Sequence, residues 1–421
     1  MNPQSAMQTL STTPKVDARL WMISLVCFCV MAVDGFDTAS IAYVAPTLAL
    51  QWKVAHAALT PAFVMTSVGA VIGYLLSGGL VARYRRRNVI VLTMIAFALL
   101  SAGTAFAGSI MAISVMRFMT SICLGCVAPA TISCTVDHAP EHRRATATIV
   151  AGMGLSAGAA LGGLLASWLI AHYGWRSVFI TGGALPLVLV PIVWSALRGS
   201  DASEAVMPPA CDALPHGDAR PRIGALFQRR FALSTVLIWA IAFLSFLVTY
   251  QFVFWVPTLL VSYGFSAASA SLGSTASSIG GIAGSLALVL FVGRCGLQRS
   301  LMILACLAIA CIAWLGLGGV DQGAVLLLIA GVGAGTMSGC VGQAALAVLL
   351  YPSHLRTTGV GCAAAAGRIG AIVGPATGGA LFSLGFTAQQ IVLTSCLPCF
   401  VIIALLTASK IHSARASEAG K

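Results

Sequence analysis

Two carboxylates three residues apart, Asp34 and Asp37, stand inside a long apolar stretch near the start of the chain, in the run Val33-Asp34-Gly35-Phe36-Asp37-Thr38. On a helix that spacing puts both on one face. A charged side chain near the middle of a bilayer costs about 2.5–3.5 kcal/mol on insertion scales. Two acids in one membrane helix therefore call for cationic partners or a water-filled cavity, and the chemistry they suit is the uptake and release of a proton or the binding of an ion. Two arginines, Arg117 and Arg368, also lie inside apolar segments, so the deeply placed ionisable set is two negative and two positive groups. A guanidinium keeps its charge and grips a carboxylate bidentately. One or both can hold an anionic substrate. The competing use is a structural ion pair, for instance Asp34 with Arg117, or Arg117 bracing its helix against either acid. By rise per residue Arg368 and the two acids fall near the midplane and Arg117 a turn or two in from the outer end of its span, depths that permit all four to face one central cavity.

The elements that carry these residues follow from composition. Of 421 residues, 59% are hydrophobic and 8% charged, against roughly 25% charged in soluble domains. Apolar runs long enough to cross a bilayer are expected at about 20–45, 62–82, 88–108, 111–136, 145–171, 177–197, 231–256, 267–292, 300–320, 323–350, 359–383 and 388–409. The chain reads as an all-α, multi-pass membrane protein of twelve helices. The polar, Pro-rich stretch 198–230 divides it into an N-terminal six-helix bundle, 1–197, a cytoplasmic linker, and a C-terminal six-helix bundle, 231–421. With both termini inside, nineteen of the 23 basic residues fall in inner segments, as the positive-inside rule requires. The net charge of +12 thus reflects topology, and no nucleic-acid partner is expected. The polar first 19 residues show no small-residue cleavage site of a signal peptide.

An internal repeat supports two halves. Pro140-Glu-His142-Arg-Arg144 and Pro352-Ser-His354-Leu-Arg356 each lead into a span with small-residue steps, Gly154, Gly158, Gly162, Gly163 and Gly370, Gly374, Gly378, Gly379, which suit close helix approach. The C-x-x-C pairs Cys123/Cys126 and Cys396/Cys399 have no histidine or carboxylate beside them and read as small packing residues. No metal site, cofactor or activated nucleophile is indicated, and the chain is not expected to be an enzyme.

In combination, Asp34-Gly35-Phe36-Asp37-Thr38 with Ala45-Pro46, Arg117-Phe118, Asp137-x-Ala139-Pro140, Arg144-Ala145-Thr146, Gly158-x-x-x-Gly162-Gly163, Gly174-Trp175-Arg176, Tyr351-Pro352, Arg356-x-Thr358-Gly359 and Gly367-Arg368-Ile369-Gly370 resemble the major facilitator superfamily, and within it the aromatic acid–proton symporters. The resemblance implies proton-coupled import of an aromatic carboxylate, such as a hydroxybenzoate, by alternating access, in a protein of the bacterial inner membrane with both termini cytoplasmic. Its partners are then the small aromatic acid, protons and membrane lipid, and a monomer is expected. It assigns proton coupling to Asp34 and Asp37 and anion binding to Arg117 and Arg368. Asp137, Arg144, Arg83 and Arg356 occupy the places of its gating and cytoplasmic-loop residues. Tyr250, on a helical stripe with Phe243 and Phe246, is a candidate to stack on the ring, and Gln343 a candidate for a ring hydroxyl. Trp255 and Pro257 read as an interfacial anchor. The sequence departs from the family in the loop Gly78-Gly-Leu80-Val-Ala82-Arg83-Tyr84-Arg85-Arg86-Arg87, where Ala82 stands for the usual Asp, and again at Gly293 in the matching loop. That loss bears on how the inner gate is latched; Arg83 to Arg87 are alternatively contacts for anionic lipid. Two other readings remain: transport, in either direction, of a non-aromatic organic anion, or a sensor-like relative that binds without transporting.

Overall fold

The structure is a computed structural model that describes residues 13–138, 144–197, 226–228, 231–351 and 353–418. The described residues form α1 Thr13–Trp52, α2 Thr60–Arg83, α3 Arg86–Thr104, α4 Ile110–His138, α5 Arg144–Tyr173, α6 Arg176–Ala196, α7 Ala232–Ser262, α8 Leu272–Cys295, α9 Leu297–Leu317, α10 Gln322–Leu350, α11 Ser353–Ser383, α12 Ala388–Thr394 and α13 Cys396–Glu418. Twelve of the segments so formed are long and apolar enough to cross a membrane, α12 and most of α13 together making the twelfth. The first reaches Trp52, further than hydropathy suggested. Caps fix two starts: Asp321 accepts from the Ala324 amide at α10, and Thr387 with Gln390 makes a capping box at α12, each satisfying amides that lack a helical partner.

Helix pairing repeats with an offset of six. The most extensive contacts are α1 with α5 and α2 with α4, then α7 with α11 and α8 with α10. The glycine steps explain why these pairs approach so closely. A Cβ at Gly158 would strike the Ala32 carbonyl of α1, and one at Gly370 or Gly374 would strike the Phe243 or Leu247 carbonyl of α7. Backbones that meet without side chains between them gain dispersion contact along the whole seam.

Contacts between the two sets of helices gather at one end. Consecutive spans run in alternate directions, so the Arg83–Arg87 loop marks a basic end, and Trp52 and Ser262 mark the far end. At the far end Ser271 Oγ donates to the Gly163 carbonyl and Thr275 Oγ1 to the Ala160 carbonyl, each at 2.8 Å. A Cβ at Gly379 of α11 would meet Thr60 of α2. Phe63 stacks on Phe254 with ring centres 5.0 Å apart and meets Trp255 edge-on at 4.9 Å. Trp255, expected at the membrane interface, is instead buried in this aromatic closure, where its Nε1 donates to the Pro375 carbonyl at 3.2 Å. The molecule is closed at the far end. The linker expected at 198–230 lies outside the described residues, except for Leu226–Gln228.

Candidate functional site

A cavity of about 40 Å³ sits midway along the helices, where the two sets meet. Its lining comes from Asp34 and Thr38 of α1, Thr66, Ser67, Ala70 and Tyr74 of α2, Ser121, Leu124 and Gly125 of α4, Leu155 of α5, Tyr250 and Phe254 of α7, and Arg368 of α11.

The four deep ionisable residues divide into two pairs with different settings. Asp34 and Arg368 line the cavity from opposite halves. Among the described residues they form no ion pair within 4 Å of one another. Asp34 Oδ1 accepts from Thr38 Oγ1 at 3.1 Å, one turn along the same helix. The Arg368 guanidinium lies over the Tyr74 ring, 4.0 Å from its centre, with Phe246 at 5.7 Å on another side. Tyr74 belongs to α2 and Arg368 to α11, so this stack bridges the halves. It offers a desolvated cation about 2 kcal/mol of compensation.

Asp37 and Arg117 are not in that lining. Both side chains are completely buried, with Arg117 Nη2 2.6 Å from Asp37 Oδ2. Nη1 reaches Asp37 Oδ1 at 3.3 Å and Nη2 also donates to the Asp37 carbonyl at 3.0 Å. Ser101 Oγ of α3 adds a bond to Asp37 Oδ1 at 2.5 Å. The carboxylate of Asp37 is thus tied to α3 and α4 by three hydrogen bonds counting the 2.6 Å contact, and its backbone carbonyl by a fourth. Of the two acids that Arg117 could brace against, it pairs with Asp37 and not Asp34. At i and i+3 the two acids share one side of α1, about 60° apart around its axis; Asp34 borders the cavity, while Asp37 is turned to Arg117 of α4 and Ser101 of α3.

Tyr250 lines the cavity and stacks on Phe246, centres 6.0 Å apart and planes at 11°. Gln343 is buried but outside the lining, with no hydrogen-bond partner for Oε1. Arg83 is exposed, 5.9 Å from the Tyr84 ring centre. The helices place Asp137 near the basic end of α4, Arg144 at the start of α5 and Arg356 in the first turn of α11, but these three side chains lie outside the described ones. Sequence reasoning missed Tyr74, Ser67 and Ser121, which look like ordinary membrane-helix residues until the facing half is in place. Among the described residues no cluster suited to a metal ion occurs.

The sequence profile of the Major Facilitator Superfamily matches residues 27–375. A gallate transporter of Pseudomonas putida is 31% identical over 96% of this chain and 95% of its own length. The 4-hydroxybenzoate transporter PcaK of Pseudomonas aeruginosa is 29% identical over 90% of both chains. In fold, the crystal structure of the nucleoside transporter NupG superposes with a TM-score of 0.73 at 15% identity, over 93% of this chain and 98% of that one.

Proposed function

The chain belongs to the Major Facilitator Superfamily, among its aromatic acid transporters, and we propose that it carries a ring-bearing carboxylate across the bacterial inner membrane together with a proton, by alternating access. As a transporter of this family it is a multi-pass membrane protein. The reading further takes the basic end as cytoplasmic, with both termini there, since cytoplasmic loops collect Lys and Arg. Residues 1–197 and 231–421 then act as two bodies that rock about the cavity, joined by 198–230.

The observation that carries the proposal is the facing arrangement of Asp34 and Arg368, an acid and a base on opposite halves of one cavity and not paired. The guanidinium rests on the Tyr74 ring. A carboxylate displaces it from that ring. A charge-assisted hydrogen bond contributes about 1.5–3 kcal/mol and a bidentate grip makes two, which exceeds the about 2 kcal/mol of the cation–π contact. Substrate capture thereby breaks a bond between the halves. Tyr250, Phe246 and Phe254 offer faces and edges for the ring. Asp34 takes a proton from the side to which the cavity opens first and gives it to water on the other. The charge that must cross with substrate and proton is then neutral in sum, which the low-dielectric core favours. Arg117 and Asp37 take the part of a fixed brace in this scheme, since neither reaches the cavity.

Uptake of labelled aromatic acids into proteoliposomes tests the proposal. An inward proton gradient should drive accumulation in the wild type but not in Asp34→Asn. Arg368→Lys should weaken binding of a carboxylate at least tenfold, the loss of one bidentate contact, and leave its neutral amide unchanged. Equal loss for acid and amide would assign Arg368 to packing.

A further inference from the structure

We propose that Ser67 and Ser121 form a hydroxyl-recognising subsite in the cavity, which fits this carrier to ring acids bearing hydroxyl groups over unsubstituted benzoate. The inference rests on the reading that Arg368 holds the carboxylate, and adds what holds the other end of the ring.

Both serines line the cavity, Ser67 from α2 and Ser121 from α4. They are 4% and 1% exposed, and neither Oγ has a hydrogen-bond partner among the described residues. Their neighbours behave differently. Thr66 Oγ1 bonds the Ala62 carbonyl at 2.7 Å, Thr120 the Met116 carbonyl at 2.8 Å and Ser77 the Tyr74 carbonyl at 2.9 Å. Bonding back to a carbonyl one turn earlier is the usual recourse of a hydroxyl in an apolar helix. A buried hydroxyl left without it forfeits about 1–3 kcal/mol. Two such hydroxyls, on residues that line one cavity, are donors and acceptors without partners of their own among the described residues.

Their placement suits a ring acid. Ser67, Ala70 and Tyr74 share one stripe of α2, at the spacing i, i+3, i+7. Ser67 lies two turns from Tyr74 toward the far end, about 10 Å of rise, and Tyr74 marks the level of the Arg368 guanidinium. The Cβ of Ser121 stands 3.0 Å from where a side chain on Gly69 would begin, which sets it near the level of Ser67. Between the charged level and the hydroxyl level Ala70 and Gly125 keep one wall small, and Thr38 and Tyr250 also line the cavity. A benzoate ring spans such a gap with its carboxylate on the arginine and a ring hydroxyl on the serines, with oxygen–oxygen distances of about 2.7–2.8 Å. A serine hydroxyl both donates and accepts, so it serves a phenol in either sense. Sites built to bond a substrate hydroxyl discriminate strongly against the analogue without it.

The test is binding of gallate, 4-hydroxybenzoate and benzoate to the purified full-length protein by calorimetry, in the wild type, Ser67→Ala, Ser121→Ala and Arg368→Gln. Each serine variant should weaken at least one hydroxylated acid about tenfold and leave benzoate within about twofold, while Arg368→Gln weakens all three alike. Ser67→Cys and Ser121→Cys, which keep size and a weak donor, should fall between wild type and alanine. Wild-type preferences that survive both alanine variants unchanged, or equal weakening of benzoate and the hydroxylated acids, would overturn the subsite while leaving the arginine reading intact. Failure of the wild type to bind any of the three would overturn both.

Discussion

Asp34 and Asp37 sit less than a helical turn apart, yet one borders water-sized space and the other is sealed against Arg117 and Ser101. Their substitution should therefore separate cleanly. Arg117→Ala strands the Asp37 charge inside the bundle, a loss of about 3–5 kcal/mol by analogy with other broken buried pairs. Its measure is a clear drop in the unfolding temperature of the detergent-solubilised protein. Asp34→Asn removes no ion-pair partner and should unfold at the wild-type temperature while abolishing gradient-driven accumulation. If the two variants destabilised equally, the division between brace and coupling site would fail. The types of these residues and their depth were legible in the sequence. Which acid meets Arg117 was not, because residues three apart lie on the same side of a helix and hydropathy does not report which of the two faces the neighbouring span. Ser67 and Ser121 were invisible for a related reason: what distinguishes them from Thr66 and Thr120 is where each hydroxyl points.

At the scale of elements, the glycine steps carry the architecture. The repeated pattern Gly154-x-x-x-Gly158 and Gly370-x-x-x-Gly374 announced two equivalent helix contacts, and α1 with α5 and α7 with α11 are those contacts. Twelve spans could be counted from hydropathy alone, since length and apolarity suffice for that. What hydropathy could not reveal is which end of each helix meets the other half. Trp255 illustrates the gap: an aromatic near a helix end fits an interfacial belt, but here it fills a buried cluster with Phe63 and Phe382. Substituting Gly158→Val drives branched carbons into the Ala32 carbonyl. Overpacking of this kind costs about 1–3 kcal/mol or more, so lower yield and a lower unfolding temperature are expected. An enlargement at Gly78, which adjoins open space, should leave both unchanged.

For the whole molecule, the contacts that close the far end between the two sets of helices are the ones that the proposed alternating access has to open. A cysteine pair at Thr60 and Gly379, positions in contact across the halves, should cross-link with the small parting of α2 and α11 that any Cβ at Gly379 requires, and should stop transport until it is reduced; the reduced pair is the control. The family's latch acids are replaced by Ala82 and Gly293, so the bridge from Arg368 to Tyr74 stands out as a contact between halves that substrate itself can break. The central claim is that an aromatic carboxylate moves with a proton through the Asp34–Arg368 cavity. The most direct measurement is uptake of labelled gallate and 4-hydroxybenzoate by proteoliposomes, with and without an inward proton gradient. Accumulation that needs the gradient and disappears in Asp34→Asn is the predicted result; accumulation indifferent to the gradient, or binding with no flux, would contradict it.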